Sequence, residues 1–225
     1  MLSALPKINI SFKSNSDVLE RIPTLDERYT TAESKAKTVT ILGSSKTSDS
    51  ILSAMNLCSR LTKDLVAKGY NIQTGNGKYG IMGSAYRTAQ KASACDIFSH
   101  KPTQNLAIVT DPLYGIEDLK NCTLIGKATS EADRIDKFSK TSDTFVIFPG
   151  SAATLQEAAS LIRQNEYMPP DKPLKKIILV GKKYFAGIAQ QYRQIFNSKL
   201  LKHKQKELFK VLDTKDEVLK EITKA

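Results

Sequence analysis

The chain has 225 residues, enough for one large α/β unit or two small ones, and its 40% hydrophobic and 25% charged content is an ordinary globular balance. No apolar run approaches the roughly 20 residues of a membrane-spanning helix. The net charge of +11 would suit a nucleotide or a nucleic acid, but the lysines are spread out. Their densest run, KLLKHKQKE, lacks the interleaved aromatics of a single-strand binder, so a nucleic-acid partner is not expected.

Cys58, Cys95 and Cys122 have no C-x-x-C spacing, which argues against a disulfide framework or a zinc site and suits a reducing, cytoplasmic setting. The two histidines, His100 and His203, give no metal cluster and no basis for a Ser-His-Asp arrangement.

Residues 1–37 read as an arm, poorly ordered or packed on a partner. MLSALPKINISFKS has no continuous apolar core of a targeting peptide, and acids follow in DVLERIPTLDER. TVTILGSS (Thr38 to Ser45) is the first strand, β-branched and apolar. Ile51, Ala54, Met55, Cys58, Leu61 and Leu65 then recur at helical spacing up to Lys68-Gly69. YNIQTG is a second strand, followed by a helix carrying Ala85, Ala89 and Ala92. NLAIVTDP (Asn105 to Pro112) is a third strand and CTLIGKA a fourth.

SEADRIDKFSKTSD is helical, with Ser130 and Asp133 spaced as a capping pair. TFVIFPG (Thr144 to Gly150) is a strand apolar on both faces, and its helix is expected from about Leu155 to Tyr167. KKIILVG is another buried strand, followed by a helix with Ile188, Tyr192, Ile195 and Phe196 on one side. LFKVLDT is a last short strand, and the final helix opens with Thr214 and Glu217 as a capping box. Strands alternating with helices predict a Rossmann-like, doubly wound parallel sheet in three α/β/α layers, one domain over residues 38–225.

Ligands of open α/β sheets bind beyond the carboxyl ends of the strands. Three such ends are rich in small residues: GSS from Gly43, TGNGKYGIMG from Thr74, and PGSAAT from Pro149. TGNGKYGIMG contains a literal G-x-G-x-x-G at Gly75, Gly77 and Gly80, with Asp96 about 20 residues on. A dinucleotide fingerprint occupies the first βα turn, whereas this motif follows the second strand, so NAD is disfavoured. PGSAAT runs from a buried strand into a helix whose N–H groups and dipole suit a phosphate. Thr154 and Glu157 have T-x-x-E spacing, which reads as a capping box or as a carboxylate beside a ligand; spacing alone favours the cap.

GSS, TGNGKYGIMG and FVIFPGSAATLQEA together resemble the LOG proteins, the cytokinin riboside monophosphate phosphoribohydrolases long misnamed lysine decarboxylases. That family writes the last two motifs as GGGxxGLMG and PGGxGTxxE. DKPLKKIILVGKKYF and VLDTKDEVLKEI also resemble family segments, so the likeness spans about Thr38 to Ile222. It implies hydrolysis of the N-glycosidic bond of a nucleoside 5′-monophosphate, a cytokinin riboside monophosphate or an AMP-like nucleotide, to free base and ribose 5-phosphate. It implies a homodimer or higher homo-oligomer and no metal or organic cofactor. It assigns the catalytic pair to Arg134 and Glu157, and nucleotide or phosphate contacts to Gly43, Ser44, Gly75, Gly77, Gly80, Met82, Gly150, Ser151, Ala152, Ala153 and Thr154.

The chain departs from the family at Ser151 and Ala153, which replace glycines, at Ile135 after the arginine, at Glu131-Ala132 for Met-His, and at Asn76. A positive φ at Ala153 would bring strain. These departures keep open a non-catalytic nucleotide-binding or carrier protein of the same fold; related proteins include a molybdenum cofactor carrier. Read from residues alone, Arg134 makes a surface ion pair with Asp133 or Asp136.

Overall fold

The computed structural model describes residues 25–75, 77–95, 103–110, 122–201 and 207–224. Asn76, Asp96, His100, His203 and the Asp111-Pro112 end of the expected third strand lie outside the described residues. Seven strands form one sheet: β1 (Thr38–Leu42), β2 (Asn71–Thr74), β3 (Asn105–Val109), β4 (Thr123–Lys127), β5 (Thr144–Ile147), β6 (Lys176–Val180) and β7 (Lys210–Leu212). Their order is β4-β3-β2-β1-β5-β6-β7, and every pairing is parallel. The expected Rossmann-like α/β architecture is therefore the one observed.

The helices are α1 (Ala32–Ala36), α2 (Leu52–Ala67), α3 (Gly80–Cys95), α4 (Glu131–Thr141), α5 (Ala152–Glu166), α6 (Ala186–Asn197) and α7 (Lys215–Thr223). They cover both faces because successive side chains of the buried strands point to opposite sides. Val146 and Phe148 join α2, α3 and α7 through Cys58, Leu61, Ile81, Ala85 and Val218. Phe145 and Ile147 join α4 and α5 through Ile135, Phe138, Ala158, Leu161 and Ile162. A polar tie crosses the second layer: Thr141 Oγ1 donates to Gln73 Oε1, and Gln73 Nε2 donates to Thr40 Oγ1, each at 2.8 Å.

Residues 25–37 lie against the sheet. Asp26 N donates to Ile125 O at 2.7 Å, Lys35 pairs with Asp143 at 3.2 Å, and Leu25 and Tyr29 pack on the α4/α5 core. Asp26 and Thr31 cap a 3-10 turn (Glu27–Tyr29) and α1 with their side chains. No described helix is long and apolar enough to cross a membrane.

The strand order reverses between β1 and β5. From β1 the chain builds outward through β2, β3 and β4, then returns to β5 on the other side. The connections leaving β1 and β5 consequently diverge, and the crevice between them is where an open α/β sheet receives a ligand.

Candidate active site

Three loops meet at that crevice. Ser44 N donates to Pro149 O at 3.1 Å, joining the ends of β1 and β5. Ile81 N donates to Ser44 O at 2.8 Å, and Gly80 N to Thr47 Oγ1 at 3.3 Å, joining β1 to the start of α3. Gly80 sits at φ +60°, and a Cβ there would lie 2.3 Å from Ser44 O and 2.6 Å from Lys46 O, so this turn accepts only glycine. Gly43 packs on Ile81, and Gly77 on Met82.

Gly75 serves close approach. A Cβ on it would fall 1.8 Å from Arg134 Nη2, and in its absence that nitrogen donates to Gly75 O at 2.6 Å. Arg134 arrives from the first turn of α4, which Ser130 caps by accepting from Asp133 N at 3.1 Å. Its Nη1 lies 3.4 Å from Glu131 Oε2, and its guanidinium sits 5.3 Å from the Phe138 ring centroid. Only 11% of the side chain is exposed, and its Nε is buried without a hydrogen-bond partner among the described residues.

The surface ion pair expected for Arg134 is not formed. Asp133 is taken by Lys137 and by Thr129 N, and Asp136 by Lys140, because those acids lie four residues before their lysines on α4. Glu131, three residues before Arg134, is the partner instead.

Helix α5 begins at Ala152, three residues earlier than expected, with Ser151 at the N-cap. Ser151, Ala152 and Ala153 are exposed at this N-terminus, and the Ser151 side chain makes no capping hydrogen bond. Lys199 is the one non-glycine residue at positive φ among those described, so Ala153 carries no such strain; it occupies the first helical turn. Thr154, 2% exposed, packs on Gly150, whose added Cβ would meet Thr154 Oγ1 at 2.1 Å. Tyr184, from the β6–α6 connection, holds Gly150 on both sides: its hydroxyl donates to Gly150 O and accepts from Gly150 N at 3.3 Å.

The T-x-x-E spacing is therefore not a capping box. With Ser151 as the cap, Thr154 is already inside the helix and Glu157 stands in its second turn. Glu157 is 8% exposed and has no hydrogen-bond partner among the described residues. Burial pushes its carboxyl up to about 7; the charge of Arg134 pulls it down and that of Glu131 pushes it further up. Burial disfavours the charged form of this carboxyl, and the nearby cation favours it.

The structure thus brings Gly43, Ser44, Gly75, Gly77, Gly80, Met82 and residues 150–154 to one end of the sheet, with Arg134 and Glu157 electrostatically coupled beside them. Sequence reasoning missed Glu131 and Tyr184 as neighbours of this site. The i,i+3 spacing of Glu131 and Arg134 was a signal for the first; the second depends on a tertiary contact. A groove of about 380 Å³ between α4 and α5, lined by Ala132, Ile135, Ser160, Arg163, Gln164 and Tyr167, contains none of the expected site residues. No three His, Cys, Asp or Glu side chains among the described residues are grouped to hold a metal ion.

The fold is similar to that of TM1055, with a TM-score of 0.55 and 15% identity, over 82% of this chain and 96% of that one. It is also similar to a molybdenum cofactor carrier protein from Chlamydomonas reinhardtii (TM-score 0.51, 14% identity, 81% and 92% covered). A molybdenum cofactor binding protein from Rippkaea orientalis gives 0.51 and 18% over 83% and 96%. No curated protein matches in sequence. The family model described as "Possible lysine decarboxylase" matches residues 81–222, which takes in α3 after its first residue, α4, Arg134 and Glu157. The chain belongs to that family, the LOG-type family its loop motifs resemble.

Proposed function

We propose that the chain hydrolyses the N-glycosidic bond of a nucleoside 5′-monophosphate, releasing the free base and ribose 5-phosphate. One observation carries this reading: Glu157, buried and without a hydrogen-bond partner among the described residues, lies in the field of Arg134, whose fork is fixed to the glycine loop. The phosphate would sit at the N-terminus of α5, where the first-turn N–H groups and the helix dipole favour an anion.

The C1′–N bond breaks with its electron pair going to the base, the oxygen of water bonds to C1′, and one proton of that water ends on the base, giving neutral base and ribose 5-phosphate. The sugar passes through an oxocarbenium-like state, which the ionised Glu157 stabilises and towards which it orients the water. Arg134 keeps part of the Glu157 population ionised near neutral pH despite burial. By the family resemblance the active form would be a homodimer, and the scattered cysteines suit a cytoplasmic setting.

A second reading is favoured by two specific observations. Two structural neighbours are a molybdenum cofactor carrier and a molybdenum cofactor binding protein, and Ser151 and Ala153 depart from the family's glycines. On that reading the crevice binds a nucleotide or a cofactor without cleaving it. Incubation with a panel of nucleoside 5′-monophosphates, with ribose 5-phosphate and free base as the readouts, separates the two. Product release supports the hydrolase. Saturable nucleotide binding with no product from any member of the panel leaves the carrier.

A further inference from the structure

Gly150 lies between the end of β5 and the cap of α5, and three elements hold it. Ser44 N donates to Pro149 O at 3.1 Å, and the other end of that peptide, Gly150 N, donates to the Tyr184 hydroxyl at 3.3 Å. The same hydroxyl donates to Gly150 O, on the next peptide. A Cβ added to Gly150 would meet Thr154 Oγ1 at 2.1 Å, so α5 closes on it as well. One phenol oxygen therefore fixes both peptides that flank a residue with no side chain to limit its rotation.

The phenol is itself fixed. Tyr184 lies in the turn that joins β6 to α6. There Gly181 N donates to Leu212 O at 2.8 Å, Lys182 N to Asp213 Oδ1 at 2.6 Å, and Phe185 N to Gly181 O at 3.0 Å. The Tyr184 ring stands edge-on to the buried Phe185, with 4.9 Å between centroids. Tyr184 is 44% exposed, so its hydroxyl, turned onto the Gly150 backbone, does more for the loop than burial of its ring.

The consequence falls on the amide after Gly150. In a trans peptide the N–H points opposite to the C=O, and none of the described peptides is cis. With Gly150 O turned to Tyr184, the N–H of Ser151 is turned away from it. Ser151 N, Ala152 N and Ala153 N find no acceptor among the described residues, and all three residues are exposed. They are the unpaired donors of a helix start. Gly150 N is not among them, because the Tyr184 hydroxyl has taken it.

We infer that Tyr184 is a positioning residue for phosphate: by holding Gly150 N and Gly150 O together, it turns the Ser151 N–H outward as a donor to a phosphoryl group at the start of α5. The inference rests on the reading that places the nucleotide phosphate at this terminus. Without the hydroxyl both peptides at Gly150 are free to rotate, and the cost of ordering them returns to the binding step. A tyrosine that only stabilised the β6–α6 turn would, when altered, lower stability and leave the discrimination between nucleotide and nucleoside untouched.

The test uses the full-length protein labelled with ¹⁵N and three probes: inorganic phosphate, AMP and adenosine. In the wild type the amide signals of Ser151, Ala152 and Ala153 should move on addition of phosphate and of AMP. Tyr184→Phe keeps the ring against Phe185 and removes the hydroxyl. It should weaken AMP and phosphate about 10-fold, the scale of one hydrogen bond to a charged group, and leave adenosine affinity unchanged. Tyr184→Leu, which also lacks the ring, should weaken AMP to the same extent. AMP affinity equal to wild type in either variant, or AMP and adenosine weakened alike, overturns the inference while leaving the phosphate at α5. Wild-type amides at residues 151–153 that do not move with phosphate or AMP overturn the placement of the phosphate and the inference with it.

Discussion

Replacing Glu157 by Gln should make the protein relatively more stable as the pH rises. A glutamate in an unfolded chain titrates near 4.5, whereas burial raises Glu157 in the folded protein to about 7. Below pH 4.5 the carboxyl is protonated in both states, and its burial carries no charge penalty. Between pH 4.5 and 7 the unfolded chain has released the proton that the folded protein retains, so stability falls with pH; above 7 the loss is complete. At 1.36 kcal/mol per pH unit the rise corresponds to about 3 kcal/mol.

Glutamine keeps the shape and does not titrate. Its buried amide adds a cost of about 1–3 kcal/mol, but that cost is the same at every pH. The informative quantity is therefore the difference between variant and wild type at two pH values. Urea unfolding at pH 4.5 and pH 8 should show Glu157→Gln gaining about 3 kcal/mol on the wild type between the two. Parallel stability curves would refute the reasoning, because they would mean that Glu157 ionises in the folded protein as readily as in the unfolded chain.

Gly80→Ala should cost about 3 kcal/mol or more, since positive-φ strain of about 1–2 kcal/mol adds to contacts with two backbone carbonyls that cannot move aside; a melting temperature close to wild type would contradict the turn geometry. Gly75→Ala should cost about 2 kcal/mol, less than Gly80→Ala because the atom in its way is the far end of the Arg134 side chain and not backbone, and it should lower turnover roughly 10-fold or more through loss of a charge-assisted hydrogen bond. Full turnover in Gly75→Ala would remove the anchoring of Arg134 from the account. Thr214→Ala breaks the capping box of α7, which follows the edge strand β7 two strands from β5, and should cost about 1 kcal/mol with nucleotide affinity unchanged, read by unfolding and by ligand titration.

The strands were legible because β5 and β6 are apolar on both faces, and the run TVTIL is β-branched and buried throughout. The end of the chain was legible for a local reason: the Thr214–Glu217 box forms within four residues. The same spacing misled at Thr154 and Glu157. There Pro149-Gly150 ends the strand, and two alanines, the best helix formers, start the helix directly after Ser151. The cap therefore falls three residues earlier, and Glu157 is left to the interior.

Asp133 and Asp136 are the acids nearest to Arg134 in sequence, but at one and two residues' distance they do not face it on a helix; Glu131, three residues before it, does, and the approach of Gly75 O fixes the other side of the guanidinium. The position of TGNGKYGIMG after the second strand could be read from order alone. The reversal of strand order between β1 and β5, which gathers the three loops, is a property of the assembled sheet.

The most direct test of the proposed reaction pairs two readouts on two proteins: release of ribose 5-phosphate from a nucleoside 5′-monophosphate, and affinity for the same nucleotide, in the wild type and in Glu157→Gln. The account predicts turnover in the wild type that falls by about 100-fold or more in the variant, the scale of one lost electrostatic stabiliser, with affinity nearly unchanged because the carboxylate acts on the developing cation. Equal, negligible turnover in both proteins with affinity intact would contradict it.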